Sequence, residues 1–373
     1  MFGSRNFLLV KSAGSPAILS GKLFMWGLNA SGQLGLGDTV SRSSPVQVGA
    51  LTDWTYVATW NSVLCVKKDN TLWAWGSNNN GQLGQNNTTG RSSPVQVGAL
   101  TNWKTPAIVN SNSVCVKTDG TIWSWGGNFN GVLGLGNVTY YSSPKQIGSS
   151  TSWVSASVGA SSFTLAIDNG KLFAWGTNTS YGALGLGDKI NRSSPVQVGA
   201  LTNWATLATG YAHSLCTKTD GTLWAWGNNY DGRLGLGFSG PGTYRSSPVQ
   251  VGSLTNWSKP TCGKTFSACV KTDGTLWSWG SNGTSGSLGL NDNIDRSSPV
   301  QVGALTNWAT LGTSYFAVLC VKTDNTLWSW GSNNNGQLGD GTIINRSSPV
   351  QVGSLTSWAN KPSSRNNAGC IQT

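Results

Sequence analysis

Glutamate does not occur in this chain, His213 is its only histidine, and charged residues make up 10% of its 373 positions, against about 25% in ordinary soluble proteins. These shortages exclude much chemistry. With no second histidine and no Cys-x-x-Cys spacing, the sequence builds neither a Ser-His-Asp triad nor a zinc set. Asp38, Asp188 and Asp292 are the acids left for a glycosidase-type pair, and nothing in their setting favours one. The glycine-rich runs, such as residues 232–237, lack the lysine and the strand-loop-helix setting of a phosphate cradle. No run approaches the ~18 apolar residues of a membrane helix. The apolar patch Phe7-Leu8-Leu9-Val10 is too short for a secretory signal. The expectations are no catalysis, no cofactor, no metal and no membrane insertion.

Net charge is +11, and it arises from scarce acids more than from abundant bases. No Lys/Arg block is present, so nucleic acid is not an expected partner. What polarity remains is mostly Ser, Thr, Asn and Gln. Such neutral hydration suits a virion or extracellular setting, which is the expected localisation.

What the chain has in excess is glycine (50) and tryptophan (20), written in a repeat. Trp-Gly recurs at Trp26, Trp75, Trp125, Trp175, Trp226, Trp279 and Trp330, in steps of 49 to 53 residues. A period near 50 sets the architecture before any local reading. In the fifth unit, residues 204–208 and 214–218 read as strands. Asp220-Gly221 is a tight-turn dipeptide, and residues 222–226 form a third strand. A glycine-asparagine loop follows, then a short strand at residues 246–252 that begins near Pro248, where no ladder donor is needed. No helical period is present. The chain therefore reads as all-β: a single seven-bladed β-propeller of four-stranded antiparallel blades, with one blade closed by N- and C-terminal strands. The propeller is expected over residues 17–373, after an N-terminal extension of residues 1–16. In the N-terminal stretch, residues 7–11 and 17–19 are further strand candidates, one of them surplus.

Nineteen of the tryptophans fall at repeated positions and read as blade core. Trp60 is left over, where other units have Gly159 or Gly210. Six cysteines, Cys65, Cys115, Cys216, Cys269, Cys320 and Cys370, share one position, with Leu165 in the remaining unit. They read as buried free thiols, because equivalent sites on separate blades lie beyond disulfide reach. A Cys262–Cys269 pair has no support. His213 shares its place with Asn112, Ser162 and Phe266 and reads as scaffold. Asp69, Asp119, Asp168, Asp220, Asp273 and Asp324 sit at the hairpin corners.

The run from Gly210-Tyr211-Ala212-His213 through Asp220-Gly221-Thr222-Leu223-Trp224-Ala225-Trp226-Gly227 to Gly232-Arg233-Leu234-Gly235 resembles the repeat of the regulator of chromosome condensation family. The resemblance covers about residues 17–373. It implies a seven-bladed propeller, and for some members a nucleotide exchange activity on a small GTPase with docking on chromatin. Other secreted bacterial propellers that it resembles inhibit β-lactamases by covering the enzyme with loop aromatics.

Fold alone does not choose a function, so departures from the repeat carry the search. Partner-binding candidates are Trp60, Phe129, Tyr140, Tyr141, Tyr230, Phe238, Tyr244, Tyr315 and Phe316. Two cation sets also recur. Lys67, Lys117, Lys218, Lys271 and Lys322 end the second strands. Arg42, Arg91, Arg192, Arg245, Arg296 and Arg346 precede Ser-Ser-Pro, with Tyr141 interrupting that set. The arginines make a basic ring, which either grips a polyanion or bonds its own loop carbonyls. The leading expectation is a non-enzymatic recognition scaffold outside the cell, a virion surface or tail protein used for attachment or decoration. Its partner would be a protein or a cell-surface glycan, with neighbouring virion subunits or further copies of itself as alternatives. The exchange-factor and protein-inhibitor readings stand behind it.

Overall fold

A computed structural model of the chain describes residues 20–364 and 366–373. Seven four-stranded antiparallel sheets form a closed ring, as the repeat predicts. Blade 1 consists of Trp54–Thr59, Ser62–Lys67, Leu72–Gly76 and Arg91–Gln96 in simple up-and-down order. Blades 2 to 6 repeat it, with inner strands opening at Trp103, Trp153, Trp204, Trp257 and Trp308. In blade 7, Trp358–Ser364 pairs with Asn367–Gln372, which pairs with Lys22–Gly27, which in turn pairs with Arg42–Gln47. The ring is thus closed by both ends of the chain, and that strand pairing removes two open edges. Among the described residues the other regular elements are two single 3-10 turns, Phe129–Gly131 and Gly283–Ser285. The expected boundary at residue 16 and the strand candidates at 7–11 and 17–19 lie outside the described residues.

The Trp-Gly tryptophan is the staple between blades. Each indole N–H donates to a loop carbonyl of the preceding blade: Trp75 to Gln33, Trp125 to Gln82, Trp175 to Val132, Trp226 to Ala183, Trp279 to Arg233, Trp330 to Ser287, and Trp26 to Gln337, at 2.8–3.1 Å. The last of these closes the circle. All seven rings are fully buried, so each N–H needs its acceptor. The bond adds about 1 kcal/mol to the larger gain from burying the ring. The loop glycine makes this approach possible. A Cβ on Gly235, which has φ +72°, would stand 2.8 Å from Trp279 Nε1.

Register corrects three of the expectations. In blade 3, Ala166 lies opposite Phe173, as Cys216 lies opposite Trp224. Ala166, not Leu165, therefore holds the cysteine position, and Phe163, not Ser162, holds that of His213. Asp168 faces Trp153 as Lys218 faces Trp204. It stands in the lysine position, not at the hairpin corner. Blade 3 has one more residue before its second strand, and a one-residue shift moves every side chain to the other face. The seven cysteines are free and buried, Cys262 included.

Candidate functional site

Strand order gives the propeller two unlike faces. On one, the second and third strands of each blade meet in a hairpin. On the other, long loops join the third strand to the fourth and short ones join the first to the second.

On the hairpin face one arrangement recurs in blades 1, 2, 4, 5 and 6. In blade 4, Trp224 Nε1 donates to Thr222 Oγ1 at 2.9 Å, and that hydroxyl donates to Asp220 at 2.6 Å. Lys218 Nζ lies 3.7 Å from the Trp224 ring centre and 5.1 Å from that of Trp204. Across the five blades the lysine sits 3.6–4.4 Å from the outer indole. The Thr222 hydroxyl and backbone N–H hold Asp220 below the usual carboxylate range. Burial pulls Lys218 down, and Asp220 partly restores it. The five outer tryptophans, Trp73, Trp123, Trp224, Trp277 and Trp328, are half-buried rather than core; their other side is the lysine's platform. Blades 3 and 7 lack both parts: Phe173 and Phe24 replace the indole, and Asp168 and Gln372 replace the lysine. Indole and ammonium come and go together because a largely buried ammonium needs the ring's negative face.

On the loop face, the basic ring is mostly neutralised. Arg42, Arg192, Arg296 and Arg346 pair with Asp38, Asp188, Asp292 and Asp340 at 2.5–2.9 Å, and the first three also donate to loop carbonyls. The Val40 backbone N–H, then the Arg42 guanidinium, hold Asp38 below its ordinary value. In blade 1 the aspartate position is Asn87, and among the described residues Arg91 keeps only the Gly90 carbonyl. In blade 2, Asn137 donates to the Tyr141 hydroxyl at 3.3 Å. In blade 4 the position is Phe238. Arg245 lies over that ring, 4.8 Å from its centre, and donates to the Thr243 and Tyr244 carbonyls.

All nine aromatic candidates fall on this loop face, eight in first-to-second or third-to-fourth strand connections and Tyr141 at the opening of the blade 2 fourth strand. Phe129 (61% exposed), Tyr230 (60%), Tyr140 (53%) and Phe238 (39%) point outward. Tyr141, Tyr244, Tyr315 and Phe316 are half-buried. Trp60 is buried, 7% exposed, and meets Tyr315 edge-on with centroids 5.1 Å apart. Trp60 belongs to blade 1 and Tyr315 to blade 6, so the pair spans blade 7 at the mouth of the central channel. That channel, about 380 Å³, is lined by the inner strands, with hydroxyls such as Thr59, Thr209 and Ser363 among small apolar side chains. Sequence reasoning missed Lys264, Tyr211 and Lys189. Tyr211, Lys264 and Tyr315 share one repeat position in blades 4 to 6, so the repeat's own departures were the signal for two of them.

His213 is fully buried and its Nε2 lies 3.1 Å from Ser267 Oγ. Burial, then Arg233, push its pKa well below the usual value. Its ring fits because Gly210 has no side chain: a Cβ there would stand 2.2 Å from His213 Cε1. Burial pushes the thiols of Cys115, Cys269, Cys320 and Cys370 up to about 12, which leaves them without thiolate character. Among the described residues no three His, Cys or Asp side chains cluster as metal ligands, and no helix is long and apolar enough to cross a membrane.

Known proteins share this architecture. The family model described as the regulator of chromosome condensation (RCC1) repeat matches residues 20–59, 69–114, 119–167, 169–217, 220–270, 273–313 and 324–361. A second model of that repeat matches residues 204–233. E3 ubiquitin-protein ligase HERC2 of Homo sapiens is 31% identical over 169 residues, 42% of this chain and 3% of the ligase. Ultraviolet-B receptor UVR8 of Arabidopsis thaliana is 31% identical over 132 residues, 34% of this chain and 29% of the receptor. The matched segments are thus a small part of these relatives. Human WBSCR16 has the same fold, with a TM-score of 0.83 at 20% identity, covering 95% of this chain and 99% of that one. Prp20p of Saccharomyces cerevisiae, whose structure is described with its binding to Gsp1p and histones, gives 0.82 at 18% identity over 96% and 93%. The chain belongs to the regulator of chromosome condensation repeat family.

Proposed function

We propose that this propeller is a protein-recognition module whose loop face docks a partner. One observation carries the reading: the departures from the repeat that the sequence singles out share one face, and four of them are exposed aromatic rings. Aromatic side chains on a rigid frame are what protein interfaces use as anchors. The family supports the same reading, since one member, Prp20p or yeast RCC1, is described with Gsp1p and histones and with Kap60. These names weigh for a protein-binding regulator over a virion surface or tail protein, whose support is composition alone. The test compares proteins retained by the immobilised full chain with those retained by Phe129→Ala/Tyr140→Ala/Tyr230→Ala, and by Lys68→Ala/Lys171→Ala on the hairpin face. Specific loss in the first variant only is the expected result. Unchanged retention in that variant overturns the proposal.

Nucleotide exchange on a small GTPase is the second reading, favoured by the likeness to Prp20p. Accelerated release of labelled nucleotide from a GTPase panel would promote it, and no acceleration would remove it. The protein-inhibitor reading falls if no member of a β-lactamase panel binds.

A further inference from the structure

The loop face holds most of its cations in two ways, Arg91 with its carbonyl being the exception. Four arginines of the ring lie against aspartates, as described, and the buried Arg233 of the blade 4 loop lies against Asp231. Three cations between blades 3 and 5 lie instead against aromatic rings, and among the described residues none of the three has a carboxylate within ion-pair distance. Lys189, in the blade 3 loop, places Nζ 4.0 Å from the ring centre of Tyr244 in blade 4. Arg245 lies over Phe238. Lys264, in blade 5, has Nζ 5.7, 5.3 and 5.2 Å from the ring centres of Tyr211, Tyr315 and Phe316. Its backbone is held on both sides. Its N–H donates to the Tyr315 carbonyl at 2.9 Å, and its own carbonyl accepts from Arg233 at 3.1 Å. The rings orient these charges and leave them uncancelled.

We infer that the patch centred on blade 4 binds an acidic segment of another protein, with Lys189, Arg245 and Lys264 taking its carboxylates and Tyr230 and Tyr211 its apolar side chains. This rests on the loop face being a recognition surface. Charge complementarity names the occupant. The chain's own first nineteen residues carry Arg5 and Lys11 and no acid, so they do not match the patch. A second copy brings a net charge of +11 and is repelled. Three cations are few for a nucleic-acid track, which engages roughly 6–10 phosphates, and they suit a short run of Asp and Glu.

The experiment is fluorescence anisotropy with the full chain and a labelled peptide rich in Asp and Glu with interspersed Leu. Its Asn/Gln counterpart and a single-stranded oligonucleotide of equal charge are the comparison probes. The acidic peptide binds and weakens with salt. Lys189→Ala/Arg245→Ala/Lys264→Ala lowers affinity about tenfold or more. Lys68→Ala/Lys104→Ala/Lys171→Ala removes equal charge from exposed positions on the other face and changes affinity less than about twofold. Absence of binding, equal loss in both triple variants, or equal binding of either comparison probe overturns the inference. If that happens while the aromatic variant still loses partner retention, the inference falls and the recognition reading stands.

Discussion

The two faces of this propeller use the same ingredients, cations and aromatic rings, toward different ends. On the hairpin face each lysine is buried between two indoles, and each outer indole is tied through a threonine to an aspartate. The unit is closed on itself and repeats in five blades. On the loop face Lys189, Arg245 and Lys264 rest on rings at the surface, beside exposed Tyr230 and Tyr211. Repetition marks what the fold needs from every blade. Departure marks what one sector needs that the others do not.

The most severe test of this contrast lies within blade 4. Trp224→Ala should cost about 2–4 kcal/mol in denaturant unfolding, because it removes a half-buried ring, its bond to Thr222 and the platform of Lys218. Tyr230→Ala should stay within about 0.5 kcal/mol while impairing partner binding. Comparable destabilisation by both would break the contrast.

A smaller effect concerns the lysine–indole unit. Lys218→Gln should cost about 1–2 kcal/mol. A double-mutant cycle with Trp224→Phe should show a coupling of about 1 kcal/mol. Blade 3 offers the reverse experiment: Phe173→Trp with Asp168→Lys should be better tolerated than Asp168→Lys alone, by unfolding midpoint. Additive effects would mean that ring and ammonium are independent.

The smallest expected effect is pH-dependent. His213 is buried, and burial pushes its pKa well below the ordinary histidine value of about 6.5. The unfolded chain takes up that proton as pH falls below 6.5, and the folded chain does not. The histidine's contribution is therefore intact above this value and lost progressively beneath it. The depressed hairpin aspartates act with the same sign lower down: their stabilisation is present above about pH 4 and is lost as pH falls through their folded values. Replacing His213 by the residue that blades 3 and 5 use there, His213→Phe, should flatten the unfolding midpoint between pH 5 and 7. An unchanged slope would assign it to other groups.

Much of the frame was legible in the residues. Trp-Gly spacing, Asp-Gly or Asp-Asn corners and Ser-Ser-Pro starts are local signals; the first and last recur seven times and the corners five. What misled was counting along the chain where a blade carries an extra residue. Leu165 and Ser162 hold the expected distances from Trp153, yet cross-strand pairing assigns their roles to Ala166 and Phe163. The lysines read only as a second recurring cation set, because a sequence shows charge and not what lies against it.

By itself, then, the sequence determined the number of blades, their strand order and their closure by the chain ends, since these follow from short-range periodicity. It also picked out nine aromatic departures. The tertiary structure alone decided that these share one face, that Trp60 reaches across the channel mouth to Tyr315, and which cations are left without a carboxylate. Those facts depend on contacts between blades, over separations such as that from Trp60 to Tyr315, and no local pattern carries them.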